Sequence, residues 1–87
     1  MQIFVKSPEL IEQVIDGETV VLDKVAGLIH QLNASAGTIW TACDGKATVD
    51  NIAEQIARQY GIDIELARAD VETTFQQLVE QKLVQAI

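Results

Sequence analysis

The sequence predicts an α+β domain in which short strands come first and helices follow. Three observations support this prediction. An Asp-Gly pair at positions 16 and 17 separates two apolar runs, and this is a strong signal for a β-hairpin. A short apolar run at residues 28–32 stops at Asn33. From Ala36 onward, apolar residues recur three and four positions apart, which is the spacing of a buried helical face.

Three short antiparallel strands are predicted, at residues 12–15, 18–23 and 28–32. A second turn is expected near residues 24–27. Because successive side chains of a strand point to opposite faces, the third strand should place Leu28, His30 and Leu32 on one face. Its other face then holds the two remaining side chains, Ile29 and Gln31.

The first eleven residues are compatible with two different structures. Ile3, Phe4 and Val5 are apolar, but Pro8 follows them closely. Proline cannot donate a hydrogen bond to a strand ladder. Residues 1–11 are therefore expected to form either an edge strand or a terminal arm.

Three helices are predicted after the strands. The first has Asn33 or Ser35 as its N-cap and ends at Asp44-Gly45, where glycine suits the left-handed position; its apolar face is Ala36, Ile39, Trp40 and Cys43. The second is capped by Thr48 and stops at Gly61. Its apolar stripe is Val49, Ile52, Ala53, Ile56, Ala57 and Tyr60. The third is capped by Asp63, and its buried face is Ala67, Val71, Phe75 and Leu78, flanked by Leu66 and Val79.

Three short strands followed by three helices form a winged-helix-like arrangement. The strands and helices come in a different order along the chain than in a winged helix. Eighty-seven residues are enough for one hydrophobic core. The prediction is therefore a single domain over residues 1–87, in which residues 1–11 are the segment that could stand apart as an arm.

Charge and composition exclude several functional classes. The chain has 13 acidic and six basic residues and a net charge of −7, which opposes binding to nucleic-acid phosphates. No apolar run is long enough to span a membrane, and the N-terminus lacks a secretory signal. The single cysteine excludes an internal disulfide and a cysteine-based metal cluster. A cytoplasmic protein that binds neither nucleic acid nor membrane is expected.

No catalytic or metal site is predicted either. His30 is the only histidine, and it has no serine or cysteine partner at a recognisable spacing. The carboxylates are scattered, with no close pair that would form an acid–base dyad. Cys43 lies at a helical core position next to Asp44, which disfavours a reactive thiol. We therefore expect no catalytic residue, no bound metal and no cofactor.

The ordered set of residues resembles the signature of the PqqD family, whose small domains serve as recognition elements for ribosomally made, post-translationally modified peptides. The resemblance covers residues 17–84. It rests on His30, Leu32, Asn33, Ala36, Ile39, Trp40, Cys43, Asp44, Gly45, Thr48, Val49, Ile52, Ala53, Tyr60, Asp70, Val71, Phe75, Leu78, Leu83 and Val84.

This resemblance implies a function without catalysis. Members of the family bind the leader segment of a precursor peptide and present its core to a modifying enzyme, often a radical S-adenosylmethionine enzyme. The leader adds as an extra strand beside the third strand, in the groove against the third helix. The third strand has no proline, lysine or glutamate, residues that protect strand edges from pairing.

A peptide-binding site is therefore predicted from one strand and one helix. The strand side is Leu28, Ile29, His30, Gln31 and Leu32. The helix side is Arg68, Val71, Thr74, Phe75 and Leu78. Arg68 is the cation expected to meet an acidic residue of the leader. The open strand edge also allows self-pairing, so a homodimer is a further expectation.

Two other functional classes fit the sequence less well. A winged-helix regulator would read DNA with its third helix, but the charges there are Glu65, Asp70, Glu72 and Glu80 against Arg68 alone. A phosphopantetheine carrier would need an exposed serine at a helix start, usually in Asp-Ser-Leu. Ser35 lies between two alanines and does not fit that pattern.

Overall fold

The computed structural model describes residues 2–87 and contains five strands and three helices. In chain order these elements are β1 (Phe4–Lys6), β2 (Leu10–Ile15), β3 (Glu18–Asp23), β4 (Leu28–Leu32), α1 (Ala34–Ala42), α2 (Val49–Tyr60), α3 (Ile64–Glu80) and β5 (Val84–Ala86). The α+β class and the three helices are confirmed. The predicted number of strands was too low, since four strands precede the helices and a fifth follows them.

The strands β2, β3 and β4 form one antiparallel sheet in that order. The predicted hairpin at Asp16-Gly17 is confirmed: both residues have positive φ, at 52° and 80°, as a tight turn of the primed type requires. The turn aligns Ile15 with Glu18, and the ladder continues until Leu10 pairs with Asp23. The first strand of this sheet thus begins two positions before the predicted residue 12.

The strand β1 pairs with β5 in a second, two-stranded antiparallel sheet. Ile3 also bridges to Thr48, and the amide of Val49 donates to the carbonyl of Gln2 at 3.1 Å. The N-terminal segment therefore lies between the C-terminus and the start of α2. Of the two alternatives for residues 1–11, the strand is formed at Phe4–Lys6. Met1, the first residue of that segment, lies outside the described residues.

The helix starts follow their predicted capping residues. The side chain of Asn33 accepts a hydrogen bond from the amide of Ala36 at 2.8 Å. Thr48 and Asn51 form a reciprocal capping box at the start of α2. Asp63 occupies the N-cap position of α3, but its side chain makes no capping hydrogen bond, so that part of the prediction was wrong. The left-handed conformation of Gly61, at φ 64°, ends α2 as predicted.

We expect Thr48→Ala to lower the free energy of unfolding by about 0.5–2 kcal/mol, because the amide of Asn51 loses its capping acceptor. Urea unfolding followed by circular dichroism measures this loss. Asp63→Ala is the matched control, since the Asp63 side chain caps no amide, and its effect should be the smaller of the two. Equal losses in the two variants would contradict a specific contribution from the capping box.

The hydrophobic core lies between the inner face of the three-stranded sheet and the helices. Ile39 and Trp40 of α1 are fully buried, and α1 approaches the sheet at Gly37. A Cβ atom on Gly37 would lie 2.9 Å from Oγ1 of Thr19, so this close approach requires glycine. The rings of Phe4 and Phe75 stack with their centroids 4.4 Å apart, which joins β1 to α3.

One residue predicted to be buried and two predicted to flank the core are largely exposed. Tyr60 is 44% exposed, and its hydroxyl lies 3.1 Å from that of Thr38. Leu66 and Val79, predicted to flank the buried face of α3, are 64% and 42% exposed. The helical period brings these residues close to the apolar face, but no second layer covers them. None of the helices within residues 2–87 has the length and apolar character needed to cross a membrane.

Candidate functional site

The strand β4 is an edge of the three-stranded sheet. It pairs with β3 along one side, and no strand within residues 2–87 pairs with its other side. A free edge presents backbone N–H and C=O groups that can hydrogen-bond an added strand. The strand β2 forms the opposite edge, so the sheet has two edges at which addition could occur.

The side chains of β4 alternate as predicted. Leu32 is buried at 6% exposure, and His30 is partly buried. On the other face, Ile29 is 72% exposed and Gln31 is also exposed. Leu28 shares the inner face but is 52% exposed, so the inner face is open at the start of β4.

Two polar side chains distinguish the middle of β4. The amide side chain of Gln31 donates a hydrogen bond to the carboxylate of Glu18 on the neighbouring strand. The Nε2 atom of His30 is buried and has no hydrogen-bond partner within residues 2–87. An unpaired buried polar atom is costly, so His30 is a candidate for a polar contact that the isolated chain does not make.

The helix side of the predicted site lies mostly in the core. Val71, Phe75 and Leu78 are at most 2% exposed, and Thr74 is 7% exposed. These three apolar side chains belong to the same buried cluster as Leu32. The structure therefore brings the inner face of β4 and the buried face of α3 into one core. Their contact with a bound peptide stays a prediction.

Phe75 has a more specific position. Besides stacking on Phe4, it lines a cavity of about 630 Å³ together with residues of β1, β5 and the start of α2. No residue of β4 lines that cavity. No sequence pattern indicates the contact between Phe4 and Phe75, because the two residues are 71 positions apart in the chain.

Arg68 is bound to two carboxylates. Its Nε donates to Asp50 at 3.1 Å, and a terminal nitrogen donates to Glu65 at 3.2 Å. These contacts, first the hydrogen bond to Asp50 and then the charge of Glu65, raise the pKa of the guanidinium. An acidic residue of a ligand would have to compete with both carboxylates for this cation.

Outside β4, the potentially reactive side chains of Cys43 and Ser35 make hydrogen bonds within the fold. The thiol of Cys43 is buried and donates to the carbonyl of Phe4 at 3.3 Å, and burial raises its pKa. The hydroxyl of Ser35 donates to the capping side chain of Asn33. Within residues 2–87, no group of three or more histidine, cysteine, aspartate or glutamate side chains could hold a metal ion.

The outer face of the sheet has a feature that the sequence analysis missed. Ile11 of β2 pairs with Leu22 of β3, and Leu22 pairs with Ile29 of β4. These three side chains form an apolar row across the sheet on the face directed away from the helices. We call them the outer row. Only the register between the strands could have identified it, because the three residues are eleven and seven positions apart.

Comparisons with known proteins identify a family and a fold for this chain. The family model described as "Coenzyme PQQ synthesis protein D (PqqD)" matches residues 18–84. A search of the curated proteins found no match.

Two solved structures have the same fold. One is TbiB1 in complex with the TbiA(beta) leader peptide, at 22% identity and a TM-score of 0.85, covering 93% of this chain and 94% of that one. The other is lasso peptide synthetase B1 complexed with the leader peptide, at 23% identity and a TM-score of 0.85, covering 94% and 96%.

Proposed function

Because the chain belongs to the PqqD family, we propose that it is a non-catalytic domain, spanning residues 1–87, that binds the leader of a precursor peptide. The leader adds as a strand to the free edge of β4. The domain then presents the peptide to a modifying enzyme, and the family resemblance points to a radical S-adenosylmethionine enzyme.

The free edge of β4 is the observation on which this proposal depends. Strand addition obtains affinity from backbone hydrogen bonds and selectivity from the side chains on alternate positions. The strand β4 supplies both, since Ile29 and Gln31 are exposed on one face and Leu28 is half-exposed on the other. The two structures of similar fold each contain a leader peptide according to their names.

The helix side of the proposed site has two parts. The first part is buried and packs in the core on the inner side of the sheet. It consists of Val71, Thr74, Phe75 and Leu78. Arg68 supplies the positive charge for an acidic leader residue, which would exchange with Asp50 or Glu65. The proposed strand side remains Leu28, Ile29, His30, Gln31 and Leu32.

Charge disfavours a DNA-binding role. Arg68 is the only arginine or lysine of α3, and it is bound to Asp50 and Glu65. A recognition helix needs cations that are available to phosphates. With a net charge of −7 over the whole chain, the peptide ligand is the better match.

Titration calorimetry against the short peptides encoded beside this gene tests the proposal. We expect one of them to bind with a dissociation constant of about 1 μM or lower, equivalent to about −8 kcal/mol. Sedimentation of the free protein in parallel detects a homodimer that would occupy the β4 edge. A folded, monomeric protein that binds none of these peptides would contradict leader recognition by this domain alone.

A further inference from the structure

The outer row ends at the free edge of β4. Ile11 at one end is 38% exposed, Leu22 in the centre is partly buried, and Ile29 at the edge is 72% exposed. Side chains directly opposite each other on adjacent strands lie about 4.5–5.5 Å apart at Cβ. A strand added beside β4 therefore places one of its own side chains next to Ile29, as the fourth member of the row.

The neighbouring outer position has a different character. Two residues beyond Ile29, on the same face, lies Gln31, whose side chain is hydrogen-bonded to the carboxylate of Glu18. The residue of β3 that pairs with Gln31 is Val20, which is partly buried. A side chain added opposite Gln31 therefore meets an amide that is hydrogen-bonded to a carboxylate, rather than an apolar side chain.

We propose that the outer row determines which residues of the leader pair with β4, an inference that rests on the proposed function. The leader has a β-branched or aromatic residue opposite Ile29. Two positions away, opposite Gln31, it has a polar or basic residue. The ligand is thus a peptide strand whose outward side is apolar at one position and polar or cationic at the next.

This arrangement also fixes the register of the bound strand. A slip by one residue turns every side chain of a strand to the opposite face. A slip by two residues in one direction would bring the apolar side chain beside Gln31, and a slip by two in the other direction would bring the polar one beside Ile29. Each of these slips separates Ile29 from the apolar residue of the leader, so the paired register is the one that buries that residue against the outer row.

A double-mutant cycle between the protein and the peptide tests this inference. The protein variant is Ile29→Thr, which keeps a β-branched side chain and therefore the strand propensity. The probe is the peptide found by calorimetry, with each residue of its bound strand replaced in turn by threonine. We expect a single apolar peptide position to couple to Ile29→Thr, by about two- to fivefold in the dissociation constant.

Ile11→Thr is the matched control. It makes the same change in the same row, but Ile11 lies three strand spacings, about 14 Å, from the added strand. No peptide position should couple to it. A folded Ile11→Thr variant that couples as strongly as Ile29→Thr would contradict a local contact.

The remaining outcomes are distinguishable from failure of the proposed function. If the peptide binds but no position couples to Ile29→Thr, leader recognition stands and the role of the outer row is overturned. If the coupled position is charged, or lies opposite Gln31, the proposed pattern is wrong. If Ile29→Thr instead dissociates a dimer of the free protein, the fourth member of the row comes from a second copy of this chain, which also overturns the proposal.

Discussion

Replacing Trp40 with alanine is expected to lower the free energy of unfolding by about 3–5 kcal/mol, because a large buried side chain is removed and a cavity remains. Trp40 is 0% exposed, and the ammonium group of Lys6 lies 4.6 Å from its ring centroid. A domain of this length has a total stability of roughly 4–13 kcal/mol. The variant should therefore lose about a quarter or more of that stability.

Denaturant unfolding followed by far-ultraviolet circular dichroism is the appropriate measurement, since Trp40 is the only tryptophan and fluorescence would be lost with it. Tyr60→Ala is the matched aromatic control. Tyr60 is 44% exposed, so its removal should cost about 1 kcal/mol or less. A loss for Tyr60→Ala as large as that for Trp40→Ala would contradict the described core.

Replacing Ile29 with proline is expected to abolish binding of the leader peptide. Proline removes a backbone N–H from β4, and its ring obstructs the pairing of a strand. Each hydrogen bond lost contributes about 0.5–1.5 kcal/mol, so the loss of two or more weakens binding by at least about fivefold. Ile29 is 72% exposed and lies outside the buried cluster, so the helical core should remain folded.

Val14→Pro is the control for this second prediction. It introduces proline in the opposite edge strand, β2, where the N–H of Val14 faces away from β3, like that of Ile29, whereas Ile11 bonds to Leu22 within the ladder. Val14→Pro should leave peptide affinity within about twofold of the unmodified protein if the leader adds to β4. Circular dichroism checks that both variants retain their helices. Undiminished binding by a folded Ile29→Pro variant would remove strand addition at β4 from the mechanism.

The sequence alone determined the elements that depend on local chemistry. The turn at Asp16-Gly17 follows from the two residues that most readily adopt positive φ in a hairpin. Asn33 and Thr48 cap helices because their side-chain oxygens reach amides three residues ahead. The alternation along Leu28–Leu32 follows from the two-residue period of any strand. Each of these effects acts within a few residues, so each could be predicted.

The tertiary structure decided the features that join distant parts of the chain. The pairing of β1 with β5 brings Phe4 opposite Ala86, and no pattern within either short segment indicates its partner. The stack of Phe4 on Phe75 places a predicted groove residue in the core. Tyr60 continues the apolar stripe of α2 by spacing, yet it is 44% exposed at the end of that helix, where its hydroxyl lies 3.1 Å from that of Thr38.

One part of the candidate site could likewise be predicted from the sequence, and another part depends on the tertiary structure. The free edge of β4 could be predicted, because a strand without proline, lysine or glutamate lacks the usual protection of an edge. The outer row could not, because Ile11, Leu22 and Ile29 meet only through the register of three strands. Local preferences determine what each segment can form, whereas the shared burial of apolar surface determines which segments meet.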